Sequence, residues 1–453
     1  MERHGLPRIR KNGLAQIGTG IICVSLCLFF YLCPSAYSEE QTRANTEILT
    51  LEQCIKYALA NNPKLQEVLG TVDLNRAKVG EAKSDYLPQA THSVSYTHAS
   101  ASTGLVSTSG VGVKGNTYTA QTGAEQLIWD FGKTLNQIKL AHENLSLAQL
   151  SFLEVQEETI FRTKEAYFNV LKAEFAVDIA EENLRFAKNR LERTNGFYAV
   201  GLKQKFDLTQ AESLVSNAYL DYVKANKSLS LAKATLNNMI GKIGETNYEV
   251  ENNLDFKPVE VNLNAALQTA MKSRNELLKY EAQVKASQTD LAVKKAGNWP
   301  KITTDANYGS RDTQATGTVD GWTLGVLFKW PWFDGFRTRS QAEVAQANLK
   351  IAKANLQGKT LDIVLEVQDV VLSLGEAQAK VNTVAKLLQE ADENYNLIKA
   401  RYEEGLNSKI ELKDSEISWV CARKNYATAI VDYLISQAKY EKSIGVMGQD
   451  VVK

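Results

Sequence analysis

The chain has 453 residues, with 52 basic and 52 acidic side chains, 44% hydrophobic and 8% aromatic content. Zero formal charge and the absence of any basic run argue against nucleic acid as a partner. The first residues read as a secretory signal. Arg8, Arg10 and Lys11 form a positive start, Ile17–Leu32 an apolar stretch, and Ala36-Tyr37-Ser38 a small-x-small cleavage site. Removing residues 1–38 leaves 48 basic against 51 acidic residues, a net of −3. Cys23, Cys27 and Cys33 follow large apolar residues, not the small residue that precedes a lipidated cysteine. Beyond the signal no apolar run reaches the length of a spanning helix, so any membrane crossing would be made by strands.

The chain repeats itself. From Asp130–Gly241 onto Asp334–Gly445 the match runs without a gap at an offset of 204. It pairs Thr134 with Thr338, Tyr198 with Tyr402, Gly201-Leu202 with Gly405-Leu406 and Leu208 with Leu412. Upstream the offset is 212, with Leu51 on Leu263, Ala58 on Ala270 and Pro88 on Pro300. The difference of eight residues therefore falls in 88–130 and 300–334. Two such units build part of an elongated symmetric object. Cys54 and Cys421 occupy unrelated positions of the repeat, and both are expected as core thiols, not as a bridge.

In chain order, residues 39–87 lead into a first strand segment at 88–130, then a helical hairpin at 131–241 and a linker at 242–273. A helix at 274–299, a second strand segment at 300–334, a second hairpin at 335–445 and a tail at 446–453 complete the repeat. The stretches 133–195 and 335–399 contain no proline and are rich in Ala, Leu, Glu, Lys and Gln. They predict helices on the order of 95 Å long. Their apolar residues recur near the heptad period: Ala141, Leu145, Ala148, Phe152 and Val155, then Val364, Val367, Val371, Leu374, Val381, Ala385 and Leu388. Each stretch breaks at a Gly-Leu turn (196–206 and 400–410) and returns as a second helix, 207–241 and 411–445.

The strand segments are of another kind. In Gly321–Pro331, Trp322, Leu324, Val326, Phe328 and Trp330 alternate with Thr323, Gly325, Leu327 and Lys329, the period of a strand with one apolar face. Asn116–Trp129 repeats this more weakly, and Gly104–Gly115 and Gly309–Gly321 are expected to contain the turns. Each half offers two strands of about 10–14 residues, enough to cross a bilayer when tilted. Five of six tryptophans (Trp129, Trp299, Trp322, Trp330, Trp332) lie in or beside these strands, as a membrane-interface belt would have them. Four strands cannot close, and open edges are not tolerated in lipid. Several copies must share one barrel, and three copies give twelve strands above a twelve-helix wall.

Tyr86-Leu87-Pro88, the D-[FG]-[GF]-[KR]-T junctions at Asp130 and Asp334, and the repeated Y-x-x-G-L-x-x-K-x-[DE]-L turn resemble the outer membrane efflux proteins, the TolC-like channels. The resemblance implies a mainly α fold with a β-barrel part. It would be a homotrimer in which four strands per chain form a barrel in outer-membrane lipid and the helices form an α-barrel across the periplasm of a Gram-negative bacterium. A mixed belt would comprise 39–61, 242–273 and 446–453. The implied partners are a periplasmic adaptor and an inner-membrane efflux transporter, and the implied role is passive export of small toxic compounds, or of proteins in a type I secretion system. A periplasmic adaptor is the rival from another class, but it would carry one hairpin and no aromatic-faced strands.

Nothing in the sequence suggests catalysis, a metal or a cofactor. His92 and His98 read as polar residues near a barrel lumen or rim, and no Cys/His/carboxylate spacing suggests zinc. The residues to single out lie at the tips. Asp207, Glu411 and Asp414 open the returning helices, where acids cap backbone N–H groups and oppose the helix dipole. Under three-fold symmetry Glu411 and Asp414 would also form stacked acidic rings at a narrow mouth, favouring cations. By the resemblance these positions line the periplasmic constriction, and Tyr402 matches the family's tip tyrosine. Asn407 and Phe206 depart from the family's residues there, so the same salt-bridge latch is not expected. Gly201, Leu202, Gly405 and Leu406 would shape the tip turns and the adaptor contact, with the glycines supplying positive-φ geometry.

Overall fold

The computed structural model describes residues 47–99, 115–242, 244, 248–252, 256–313 and 317–447. The expected signal at 1–38, most of the turn segment 104–115 and residues 448–453 of the tail lie outside the described residues. Proline and glycine punctuate the rest into two halves that repeat element by element. α1 (Leu51–Asn61) and α2 (Pro63–Ser84) correspond to α5 (Leu263–Ser273) and α6 (Asn275–Ala296), with 11 and 22 residues in each half. The strands β2 (Gln89–Ala99) and β3 (Gly115–Trp129) correspond to β5 (Lys301–Thr313) and β6 (Gly317–Lys329). The long helices α3 (Lys133–Ala199) and α7 (Arg337–Glu403) are both 67 residues, about 100 Å at 1.5 Å per residue. The returning helices are α4 (Lys205–Ile240) and α8 (Lys409–Ser443). No described helix is long and apolar enough to cross a membrane.

The helices lie side by side. Ion pairs and hydrogen bonds set the order: α6 meets the first half of α3 through Lys279–Glu154 (2.6 Å) and Asn275–Glu157 (2.8 Å). α8 takes over the same flank lower down through Lys164–Glu441 (2.6 Å), Lys172–Asp432 (2.9 Å) and Arg423–Glu182 (3.1 Å). α7 covers the far side of both, α4 folds back along α3, and α2 packs on α3 above it. The wall in the lower half therefore runs α4–α3–α8–α7, with α4 and α7 as its flanks.

On α7 the buried stripe is Ile363, Val367, Val370, Leu374, Ala377, Val381 and Val384, the alternating four-three spacing of a coiled-coil seam. It is offset from the expected one: Val367, Leu374 and Val381 are buried, while Val364, Val371, Ala385 and Leu388 are half-buried. In α3 only Ala148 of the five expected positions is buried. The middle of α3 is instead enclosed. β1 (Glu47–Leu49) pairs in parallel with β4 (Tyr248–Val250), and with α1 and the end of α4 they pack around Ala166, Tyr167, Val170 and Leu171. The Tyr167 hydroxyl donates to the Glu251 carbonyl at 2.8 Å. In the second half Arg274, whose side chain is 7% exposed, bridges Glu276 and Glu366 and donates to the Ser443 carbonyl, joining α6, α7 and the end of α8. Gly445, at φ 71°, lies against the Arg274 backbone where a Cβ would fall 2.8 Å from its Cα.

Two expectations are corrected. Cys54 is buried, but Cys421 is exposed on α8, because its side of that helix faces away from the seam. Of Gly309–Gly321, where a turn is expected, β5 takes the residues to Thr313 and β6 those from Gly317, with Thr313 paired to Gly317. The long helices run on to Ala199 and Glu403, past the expected ends at 195 and 399, because the positive-φ residues of the turns are Gly201 and Gly405.

Candidate functional site

The four strands form one antiparallel sheet in the order β2-β3-β5-β6, so the hairpins of the two halves meet at β3 and β5. Because alternate residues point to opposite faces, the register sorts the sheet chemically. One face carries Trp322, Leu324, Val326 and Phe328 of β6, Tyr308 and Ile302 of β5, Tyr118 and Ala120 of β3, and Val94 and Tyr96 of β2. The other carries Thr91, Ser93 and Ser95, then Gln121 and Glu125, then Asp305, Asn307 and Arg311. On that polar face the Gln121 amide donates to Asn307 Oδ1 (3.2 Å), and Asn307 donates to Asp305 (3.1 Å). Gly123 makes room for this chain, since a Cβ there would lie 2.3 Å from Asn307 Oδ1. His92 and His98 lie on the apolar face, bonded to Thr122 (2.9 Å) and Asn116 (2.7 Å); they share the parity of Val94 and Tyr96 and do not point to the polar side.

The outer edges of β2 and β6 pair with no other strand among the described residues. The apolar face is exposed as well: Trp322 is 76% and Val326 74% accessible. In a single chain this is a sheet with two open edges and an uncovered apolar side, a combination that water does not tolerate.

Strands pass to helices through two matching junctions. In the first, Asp130 accepts from the backbone N–H and the hydroxyl of Thr134, and Phe131 and Gly132 both take left-handed conformations (φ 55° and 83°). In the second, Asp334 holds Thr338 in the same way, with Gly335 at φ 66° and Phe336 at φ 65°. The glycine and phenylalanine are exchanged, yet both positions need positive φ in both halves. Such a conformation costs a phenylalanine energy, and aromatic packing offsets it. Phe131 stacks on Trp299 with centroids 5.3 Å apart, and Phe336 meets Phe333 edge-on at 5.7 Å. Trp129, Trp330 and Trp332 are exposed around these junctions, with Trp332 84% accessible. Trp330 Nε1 donates to the Asn298 carbonyl at 3.2 Å.

About 100 Å from the junctions, the tips repeat one turn twice. Gly201 (φ 73°) donates to the Tyr198 carbonyl, and Leu202 N–H reaches Phe197 O at 2.9 Å. Gly405 (φ 78°) donates to Tyr402, and Leu406 N–H reaches Arg401 O at 2.9 Å. These are the paired bonds of a glycine-terminated helix end. Leu202 and Leu406 are both 72% exposed. Each returning helix opens with a reciprocal cap. Ser408 Oγ accepts from Glu411 N–H while Glu411 accepts from Ser408 N–H at 2.9 Å. In the first half Asp207 likewise accepts from Gln204 N–H at 3.4 Å, while its own N–H donates to the Gln204 main-chain carbonyl at 3.1 Å.

Asp207 also takes a bond from Lys203 (3.1 Å), which holds its carboxyl below the usual aspartate range. Tyr402 is half-buried, and Glu411 and Asp414 are exposed. No hydrogen bond or ion pair among the described residues joins Asp207, Tyr402, Glu411 and Asp414 to one another. Sequence reasoning missed Ser408, although Ser-Lys-Ile-Glu at 408–411 is the spacing of a capping box. It also missed the clasp at Trp419, which stacks on Tyr395 (5.3 Å), donates to Asp392 (3.0 Å) and carries Arg423 over its ring. No local signal announced that contact between α7 and α8. No cluster of metal-ligating side chains is present among the described residues.

The model of the family described as outer membrane efflux protein matches residues 54–242 and 266–446. The Outer membrane protein TolC of Escherichia coli K12 is 23% identical over 417 residues, spanning 88% of this chain and 83% of that one. Nodulation protein T of Rhizobium leguminosarum bv. trifolii is 20% identical, covering 91% of each. Among solved structures, the Campylobacter jejuni CmeC outer membrane channel superposes with a TM-score of 0.78 at 17% identity, over 89% of this chain and 87% of that one. The matched segments are the two halves of the repeat, strand hairpins and helical hairpins together, and the chain belongs to the outer membrane efflux protein family.

Proposed function

We propose that three copies of this chain close into one conduit, a twelve-stranded barrel in the outer membrane continuous with a twelve-helix barrel in the periplasm. Small compounds handed over by an inner-membrane transporter and a periplasmic adaptor would pass through it without energy input of its own. The observation that carries this reading is the four-stranded sheet with an apolar face, a polar face and two open edges. Lipid covers the apolar side, water fills the polar side, and only pairing β6 of one copy with β2 of the next satisfies the edges. Trp129, Trp322, Trp330 and Trp332 then sit at the membrane interfaces.

The tips are the periplasmic mouth in this reading. Gly201, Leu202, Gly405 and Leu406 form the turns that meet the adaptor. Asp207, Tyr402, Glu411 and Asp414 lie at the constriction, with Glu411 and Asp414 as acidic rings that favour cations. Purified protein in a planar bilayer tests the proposal. Stepwise ion conductance from a species of three chains is expected, and a water-soluble single chain that never conducts would overturn it.

A further inference from the structure

On the polar face of the sheet the wall is hollowed at one place. Gly309 of β5 lies opposite Gly321 of β6, and with no side chain on either they floor a recess of about 330 Å³. Its rim comes from the neighbouring positions of the same face. Thr323 faces Asn307 on one side of the glycine pair, Val319 faces Arg311 on the other, and Gln121 of β3 lies beside Gly309. Asp320 also borders the recess, but it alternates with Trp322 and Leu324 and so belongs to the apolar face. Arg311 is exposed and forms no ion pair among the described residues. The acids of the polar face, Glu125 and Asp305, share one row about 20 Å further along the strands. Gln121 gives one amide hydrogen to Asn307 (3.2 Å) and Asn307 gives one to Asp305 (3.1 Å), so each amide keeps a second donor. Neither glycine has a positive φ, and a Cβ at Gly321 would meet nothing within 4 Å. Neither backbone geometry nor packing within the chain calls for glycine at 321; what the missing side chain leaves is the space.

We propose that this recess is a transient binding site for the carboxylate of small aromatic or branched organic acids passing through the barrel. The inference rests on the conduit reading above, which turns the polar face to the lumen. Three observations select the ligand. Among the described residues the recess has one charge on this face, the Arg311 guanidinium, whose planar fork matches a carboxylate. The amides of Gln121 and Asn307 and the hydroxyl of Thr323 add neutral donors around it. The glycine floor offers bare backbone, and Val319, 59% exposed, stands opposite Arg311 as an apolar wall, which suits a ring or a branched chain beside the acid. The volume is at the small end of ligand sites, room for one compact solute. The recess is open to the lumen, and the binding is therefore weak, as a duct requires: a solute must be held well enough to enter and loosely enough to leave. In three copies the guanidinium recurs as a ring near the outer end of the strands, opposite in sign to the carboxylates of Glu411 and Asp414 at the tips.

The test uses the full-length protein in detergent with the variants Arg311→Gln, Arg311→Lys and Gly321→Val. The last keeps every charge and fills the recess with a residue that suits a strand. Saturation-transfer NMR compares salicylate with benzyl alcohol, which has the ring without the charge. The wild type and Arg311→Lys should prefer salicylate, and Arg311→Gln and Gly321→Val should bind it at least tenfold more weakly than the wild type. Salicylate binding by Gly321→Val equal to wild type would reduce the effect to surface charge and overturn the site. Equal binding by Arg311→Gln would overturn it too, and if one of these two variants fails to assemble, the other decides. In cells lacking the chromosomal copy, Arg311→Gln should raise the accumulation of fluorescein, an anionic dye, and leave that of ethidium as in the wild type. A change in both dyes, or in neither, would overturn the role in passage. If the wild type conducts nothing in a planar bilayer and lowers neither dye, the conduit reading fails, while the salicylate measurement still decides the recess.

Discussion

Glu157 gives the structure its sharpest pH dependence. It lies on α3, well below the strands, and accepts from Asn275 of α6 at 2.8 Å. Burial is the largest influence on its carboxyl and pushes it up from an ordinary 4.5 to about 7. Glu154 adds to the rise, while the Asn275 amide and the charges of Arg274 and Lys442 oppose it. A raised carboxyl makes the folded chain hold a proton that the unfolded chain has released. The contribution is therefore favourable below pH 4.5 and is lost as pH rises through about 7. One pKa unit is worth about 1.4 kcal/mol, which sets a ceiling of about 3 kcal/mol. Partial exposure of the side chain screens this to about 1–2 kcal/mol. Glu157→Gln keeps an acceptor for Asn275 and removes the titration. At pH 5 the variant and the parent should melt together in detergent at one fixed scan rate; by pH 8 the variant should melt higher by a few degrees, on the order of 2–4 °C. Because other carboxylates titrate in both proteins, the difference isolates this group. A difference that is constant with pH, or that favours the parent at pH 8, would refute the argument.

Glu411 separates capping from gating, because glutamine can accept the Ser408 N–H without a charge. Glu411→Gln should keep the melting temperature yet weaken cation preference in planar bilayers, whereas Glu411→Ala should also lose about 1 kcal/mol of stability. Unchanged selectivity in both would remove Glu411 from the constriction. At the first junction, Asp130→Ala deprives Thr134 of its acceptor and should destabilise the assembled protein by about 1–2 kcal/mol in thermal melts, with Asp130→Asn recovering most of the loss. Equal melting of all three proteins would count against a capping role.

Much of this architecture is legible in the chain because its signals are local. Proline-free stretches with heptad apolar residues marked α3 and α7, and the alternation from Trp322 to Phe328 marked β6. The offset of 204 aligns the two tips from the sequence alone. What escaped depends on contacts between distant segments. The middle of α3 is buried on several sides because β1, β4 and α1 wrap it, so no single apolar stripe could forecast Thr163 or Tyr167 as core. Cys421 reads as a core thiol by residue type, yet its place on α8 leaves it exposed. The face taken by His92 and His98 was fixed only by register, since a shift of one residue exchanges the two sides of a strand.

The central claim is that the open edges of the sheet are closed by other copies of the same chain. It is tested most directly by disulfide cross-linking in the outer membrane, after replacing Cys54 and Cys421. A cysteine at Leu324 on β6 is combined in turn with cysteines at Ala90, Val94 and His98 on β2, all on the apolar face. β2 and β6 lie at opposite edges of the sheet, so a bond between them joins two copies. At the matching register, oxidation should give a ladder that ends at three chains. Cross-links confined to one chain, or a ladder that runs past three, would contradict the account.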